Sequence, residues 1–273
     1  MATSEPIPPR PPGQLREDLL AIWHAGVDAV RADRLVQDAV VVEDGYIIID
    51  DEPIDLATIE RIVVVGAGKA GAGMARGIEL ALGAPLMEQK QLAGWINVPD
   101  DCVQQLQRVH IHGARPAGVN EPTPAGVAGT EQIMRLVASL TARDLCLVLI
   151  SGGGSALMPA PAAGISLADK QAITRFLSAA GANIAELNTV RKQLSRVKGG
   201  GLARACRAGQ LVSLIISDVI GDPLDLIASG PTVLDSSTPA IALAILNKYG
   251  ARSANIAPQA IAYLEQVAQG KQQ

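Results

Sequence analysis

The chain has 273 residues, enough for between one and two domains of about 150 residues each, and its 48% hydrophobic content with a mean hydropathy of +0.25 excludes a largely disordered polymer. One Phe, three Tyr and two Trp are too few for a surface that stacks on nucleic-acid bases. A net charge of −4 disfavours binding to a phosphate backbone.

In chain order, residues 1–14 read as a disordered, Pro-rich arm without the apolar core of a secretion signal. Residues 15–30 space Leu15, Leu19, Ile22 and Val30 as on an outer helix. Apolar, β-branched runs predict strands over 46–49, 62–65, 94–98, 108–112, 145–150 and 212–216. The runs at 62–65, 145–150 and 212–216 are continuous rather than alternating, the pattern of strands covered on both faces. Helices are predicted over 70–82, 125–140, 167–180, 185–197 and 202–208, with two more between 239 and 273. This alternation predicts an α/β fold with a doubly wound, mostly parallel sheet. No apolar stretch is long enough to span a bilayer. Cys102, Cys146 and Cys206 suit neither a disulfide framework nor a zinc site, so the expected location is cytoplasmic.

Ligands of such sheets bind beyond the carboxyl ends of strands, and three predicted strand ends carry chemistry. In VVVGAGKAGAG, Gly66, Gly68 and Gly71 form a GxGxxG whose helix start offers N–H groups to an anion, with Lys69 inside the turn. The acidic residue of a dinucleotide site, expected about 20 residues on, has no good match. In LISGGGSALM, Ser151, Gly152, Gly153, Gly154 and Ser155 leave a bare backbone whose N–H groups can converge on an anion. Ser155 has no glycine two residues on, so this is not a nucleophile elbow. In ISDVIGDPLD, Asp218 and Asp222 can hold Mg²⁺, or one of them can act as a base.

Between these ends lies a segment, 187–208, with six basic residues and no acidic one. Asn188, Arg191, Ser195 and Lys198 recur at helical spacing with Lys192 adjoining, a polar face suited to phosphates or a carboxylate, and Gly199–Gly201 are expected to end that helix. His110 and His112 alternate on one strand without a third metal ligand nearby.

The run from SGGGSA through NTVRKQLSRVKGG to SDVIGD and SGPT, together with VVGAGKAGAGMA, resembles the type-2 glycerate kinase family, whose C-terminal part is the MOFRL domain. The resemblance implies a Rossmann-like α/β/α sandwich over residues 15–273. It implies ATP- and Mg²⁺-dependent phosphoryl transfer to D-glycerate, giving 2-phosphoglycerate, with glycerate and ATP as the small-molecule partners. It assigns Lys69, Asp218 and Arg191 to catalysis, and Asp218 and Asp222 to the metal. Gly66, Gly68, Ser151, Gly152, Gly153, Gly154, Ser155, Asn188, Lys192 and Lys198 would contact the cofactor. Residues 236–273 match none of the family's second-lobe motifs, so the resemblance implies a single lobe, a truncated form, completed by a separate C-terminal lobe or by a homodimer. Two other readings are open: an NAD(P)-dependent hydroxypyruvate reductase, from the GxGxxG, and a non-catalytic lobe that binds a nucleotide or carboxylate.

Overall fold

In the computed structural model, which describes residues 11–271, the two most apolar runs lie side by side at the centre of a sheet. β4 (Arg61–Ala67) and β7 (Asp144–Ser151) pair in parallel from Arg61–Asp144 to Ala67–Ile150. β5 (Ala93–Pro99) and β6 (Val109–Arg115) extend the sheet on one side, and β8 (Gln210–Ile216) on the other. The order β6-β5-β4-β7-β8 is wholly parallel. The chain moves outward from β4 to β6, then returns to the other side of β4, so the connections diverge above the carboxyl ends of β4 and β7. Such a divergence is where doubly wound sheets hold ligands.

Helices cover both faces, as the continuous apolar runs require. α3 (Gly71–Gln89) sets Met74 and Ile78 against Val64 and Leu147. α4 (Pro124–Ala138), capped by Thr123, sets Ile133 and Val137 against Val63, Val65 and Val148. The third continuous run is different. β8 lies at the sheet edge and is only half-buried along most of its length, although both its faces carry apolar side chains.

Two small units were not foreseen as units. α2 (Ala32–Ala39) leads into an antiparallel meander of β1 (Val40–Glu43), β2 (Tyr46–Ile49) and β3 (Glu52–Asp55). Only β2 was predicted. The overlooked signal is Asp44-Gly45, both at positive φ (49° and 84°), the requirement of a two-residue hairpin turn. The second unit is helical. α6 (Leu167–Ala179), α7 (Ile184–Gln193), α9 (Pro239–Lys248) and α10 (Pro258–Ala268) share their own apolar core around Ile173, Leu177, Val190, Leu246 and Leu264. Ser166–Asp169 and Asn183–Glu186 form reciprocal caps on α6 and α7.

The expected Pro-rich arm lies outside the described residues up to residue 10, and α1 (Pro12–Ala29) begins inside its predicted span. Pro12 suits a first helical position because its missing N–H would have no partner there. α1 lies on the surface and buries no residue. The helix predicted over 185–197 ends at Gln193, because Ala162 N–H donates to Leu194 O (3.1 Å) and Arg196 N–H to Ala160 O (2.9 Å). Gly199 and Gly200 therefore do not terminate it. They make a left-handed turn (φ 55° and 75°) into the short α8 (Gly201–Ala205).

One buried ion pair ties the foot of the central strands. Asp144, fully buried, accepts from Arg61 Nη2 (2.6 Å) and Nε (3.2 Å), and from Thr141 N (2.7 Å) and Oγ1 (3.1 Å). Burial alone would raise its carboxyl pKa, but these donors outweigh it and hold the pKa below the usual range. Asp144→Ala is expected to cost about 3 kcal/mol in urea denaturation at neutral pH, the low end for breaking a buried pair because Arg61 is one-third exposed. The stabilisation is present above the ordinary Asp pKa and is lost as pH falls through the depressed one, so the variant's deficit should shrink in acid.

Candidate active site

The loops after β4 and β7 interlock. A Cβ at Gly66 would lie 1.9 Å from Leu149 O, and one at Gly68 would lie 2.0 Å from Ser151 Oγ. These glycines let one loop lie against the other. The amides of the turn are likewise occupied. Gly68 N–H donates to Asn97 O (3.1 Å), Lys69 N–H to Gly152 O (3.0 Å), Ala70 N–H to Ser151 Oγ (3.0 Å) and Gly71 N–H to Gly68 O (3.1 Å). The expectation that this turn offers its N–H groups to an anion is therefore corrected for Gly68 to Gly71, which counts against the pyrophosphate seat of a dinucleotide-binding reductase. Ser151 serves the same joint.

What the turn does present is the Lys69 side chain, exposed and lying over the β7 loop. A Cβ at Gly153 would meet Lys69 Cε at 3.7 Å and Arg115 Nη2 at 3.1 Å, and one at Gly152 would meet Asp218 Oδ2 at 2.7 Å. Gly153 has φ 85° and starts the single turn α5 (Gly154–Leu157). Lys69, Arg115, Gly153 and Asp218 thus line one cleft of about 480 Å³ at the point where the connections diverge. Arg115 was missed in the sequence. It is buried at the end of β6, with Nη1 donating to Val119 O and Asn120 Oδ1 (2.8 Å) and Nε buried without a partner. Burial pushes its pKa down. An arginine at the carboxyl end of a predicted strand was the available signal.

Asp222 does not join this cleft. It is exposed in a left-handed turn (φ 47°), its N–H donating to Val219 O (3.1 Å). Among the described residues, no three His, Cys, Asp or Glu side chains gather as a metal-binding group. A nucleotide-borne Mg²⁺ asks for only one or two protein carboxylates besides phosphate oxygens and water. Asp218 fits that demand. The paired Asp218–Asp222 site does not follow from the geometry.

Behind Gly153 lies a second cavity, of about 270 Å³, lined by Ser155, Lys170, Arg191 and Lys198 and walled by the 120–122 loop. Arg191 Nη2 donates to Ser155 Oγ (2.7 Å) and Nη1 to Asn188 Oδ1 (3.4 Å). Lys198 Nζ donates to Ser155 Oγ (2.6 Å) and O (2.8 Å), and reaches Ser229 Oγ at 3.5 Å. Lys170 Nζ donates to Leu194 O (2.7 Å). Burial, and after it the Arg191 charge, push the Lys170 amine down to about 7 and Lys198 well below its usual range, and burial alone lowers Arg191. Among the described residues none of the three forms an ion pair with a carboxylate, although other lysines and arginines of the chain do. Arg191 and Lys198 were expected in the site. Lys170 was missed, though it lies on the stripe Lys170, Ile173, Leu177, where a lone lysine interrupts an apolar helix face.

Lys192 belongs to neither cavity. It is buried and paired with Asp225 (3.3 Å) and Asp235 (3.5 Å), holding the segment after β8 against α7. The helix bend at Gln193 is what separates it from Lys198. His110 and His112 pack against Trp95, with ring centroids 4.1 and 5.2 Å away, His112 Nε2 bonds Ala125 O (2.9 Å), and neither lines either cavity.

Residues 18–265 match a family model described as a domain of unknown function, DUF4147. A glycerate kinase of Homo sapiens is 40% identical over 251 residues, covering 88% of this chain and 47% of that protein. A crystal structure of a Pyrococcus horikoshii OT3 protein superposes with a TM-score of 0.84 at 34% identity, over 95% of this chain and 56% of that one. A crystal structure of a glycerate kinase from Thermotoga maritima gives 0.73 at 33% identity, over 92% and 55%. The chain spans about half the length of the curated relatives it matches, or less.

Proposed function

Because the chain belongs to the type-2 glycerate kinase family through its DUF4147 domain, we propose that it carries the phosphoryl-transfer wall of an ATP-dependent glycerate 2-kinase. The observation that carries this reading is the cleft in which Lys69, Arg115 and Asp218 converge over the bare backbone of Gly152 and Gly153. Phosphoryl transfer demands positioning and charge neutralisation more than covalent chemistry from the protein. Lys69 and Arg115 supply fixed positive charge for the oxygens of the transferring group. The two glycines let phosphate oxygens approach the main chain without meeting a side chain. Asp218 holds the nucleotide's Mg²⁺, which neutralises phosphate charge when bound. Arg191 and Lys198 act from the adjoining cavity, and we place the opposite wall of the cleft in the part of the relatives that lies beyond this match, as a separate lobe.

The test is ADP release with D-glycerate, by the chain alone and mixed with the remaining half of the Thermotoga maritima D-glycerate 2-kinase. The expected result is turnover in the mixture that depends on both D-glycerate and Mg²⁺. No turnover in either arrangement sinks the proposal. NAD(P)H oxidation with hydroxypyruvate, measured in parallel, is expected to be absent.

A further inference from the structure

Two buried lysines and a half-buried arginine without a buried anion need an explanation. Each such charge costs several kcal/mol when taken from water unless a counter-charge accompanies it. Lys170, Arg191 and Lys198 each spend hydrogen bonds on carbonyl, hydroxyl or amide oxygens, and none on a carboxylate among the described residues. The charged groups that face Lys170 are Arg191 on α7, Lys198 in the following turn, Arg175 on its own helix, and Glu121, exposed on the loop across the cavity. The balance of the cavity wall is positive. At about 270 Å³ it falls below the roughly 300–1,000 Å³ of pockets that hold drug-sized ligands. Its size and charge suit a small acid better than a nucleotide.

The cavity also has a direction. Gly153 and Asn120 line both it and the Lys69–Asp218 cleft. A small molecule anchored by one end against the cations lies one loop away from the phosphoryl site. We infer that this cavity seats the carboxylate of the acceptor acid, and that Lys170 is a specificity-determining residue that pairs with it. The inference rests on the kinase reading for the identity of the acid, while the anion site follows from the cavity itself.

The amine of Lys170 sits near 7 in the ligand-free fold. Burial lowers its affinity for a proton, and an entering carboxylate raises it again. Calorimetry of the 273-residue chain with D-glycerate, in two buffers of different ionisation enthalpy, should show net proton uptake on binding, because burial depresses the amines of both Lys170 and Lys198 in the free cavity. Uptake should rise, and affinity fall, toward pH 9. Lys170→Met should reduce the uptake, leaving the part that Lys198 contributes, and weaken D-glycerate binding tenfold or more. Arg135→Met, which removes an exposed charge outside both cavities, should leave D-glycerate binding intact.

A folding control separates this role from a structural one. The folded Lys170 pKa is depressed, so the unfolded chain binds more protons between pH 7 and 10.5 and stability rises with pH across that window. Lys170→Met removes a buried unpaired charge, so its Tm at pH 7 should not fall and the rise with pH should flatten. Full-affinity D-glycerate binding with unchanged proton uptake in Lys170→Met overturns the inference and leaves the kinase reading standing. So does a wild-type chain that binds inorganic phosphate with this lysine dependence but not D-glycerate. A wild-type chain that binds neither also overturns it, while ADP release by the two-lobe mixture decides the kinase reading separately.

Discussion

Lys69→Met is expected to lower D-glycerate-dependent ADP release about 10²–10³-fold, the loss that follows removal of one preorganised electrostatic donor, while leaving the Tm within a degree or two. The two halves of that result have different causes. Lys69 is exposed, and only its backbone N–H is tied into the fold, through Gly152 O. Removing the ammonium therefore takes nothing from the core. Yet the side chain is held over Gly153, in the same cleft as Arg115 and Asp218. A phosphoryl group there gains an ammonium whose position is set before the reaction begins. Lys69→Arg should recover part of the rate, because the charge returns on a longer and planar head. Retained turnover in Lys69→Met would remove this lysine from the site and shift the burden to Arg115.

Gly66→Ala is expected to destabilise the chain by about 4 kcal/mol or more, comparable to the whole margin of many domains. The added methyl would sit 1.9 Å from Leu149 O, and 2.8 and 2.9 Å from its backbone C and N. Main chain cannot rotate out of the way as a flexible side chain can, and here it belongs to the central β4–β7 pair. Relief requires those strands to part, which disturbs both core layers at once. Urea denaturation, or failure to recover folded protein, reads this outcome. Gly26→Ala is the control: it lies in exposed helix α1 with nothing within 4 Å, and should stabilise by about 0.5–1 kcal/mol. Equal effects at the two positions would contradict the packing argument.

The contrast between Gly66 and Lys69 marks how far the sequence could be read. GxGxxG was visible as a strand-to-helix turn, and so was the cation within it. The spacing did not show that the turn's amides bond the neighbouring loop, since Gly152 O and Ser151 Oγ come from more than 80 residues away. Lys192 adjoins the polar face that carries Lys198, and the resemblance assigns both to the cofactor. A backbone bridge between the 160–162 and 194–196 segments bends the chain at Leu194, turning one lysine to Asp225 and Asp235 and the other to Ser155.

The sequence by itself determined the alternation of strands and helices in the main sheet, its parallel character and the three chemically loaded strand ends, because continuous apolar runs and glycine turns are local patterns. Only the tertiary structure decided which charges are paired. Arg115 and Lys170 lie outside every motif, on a strand end and an apolar helix stripe. What makes them candidates is burial without a counter-charge, and burial is a property of everything packed around a residue.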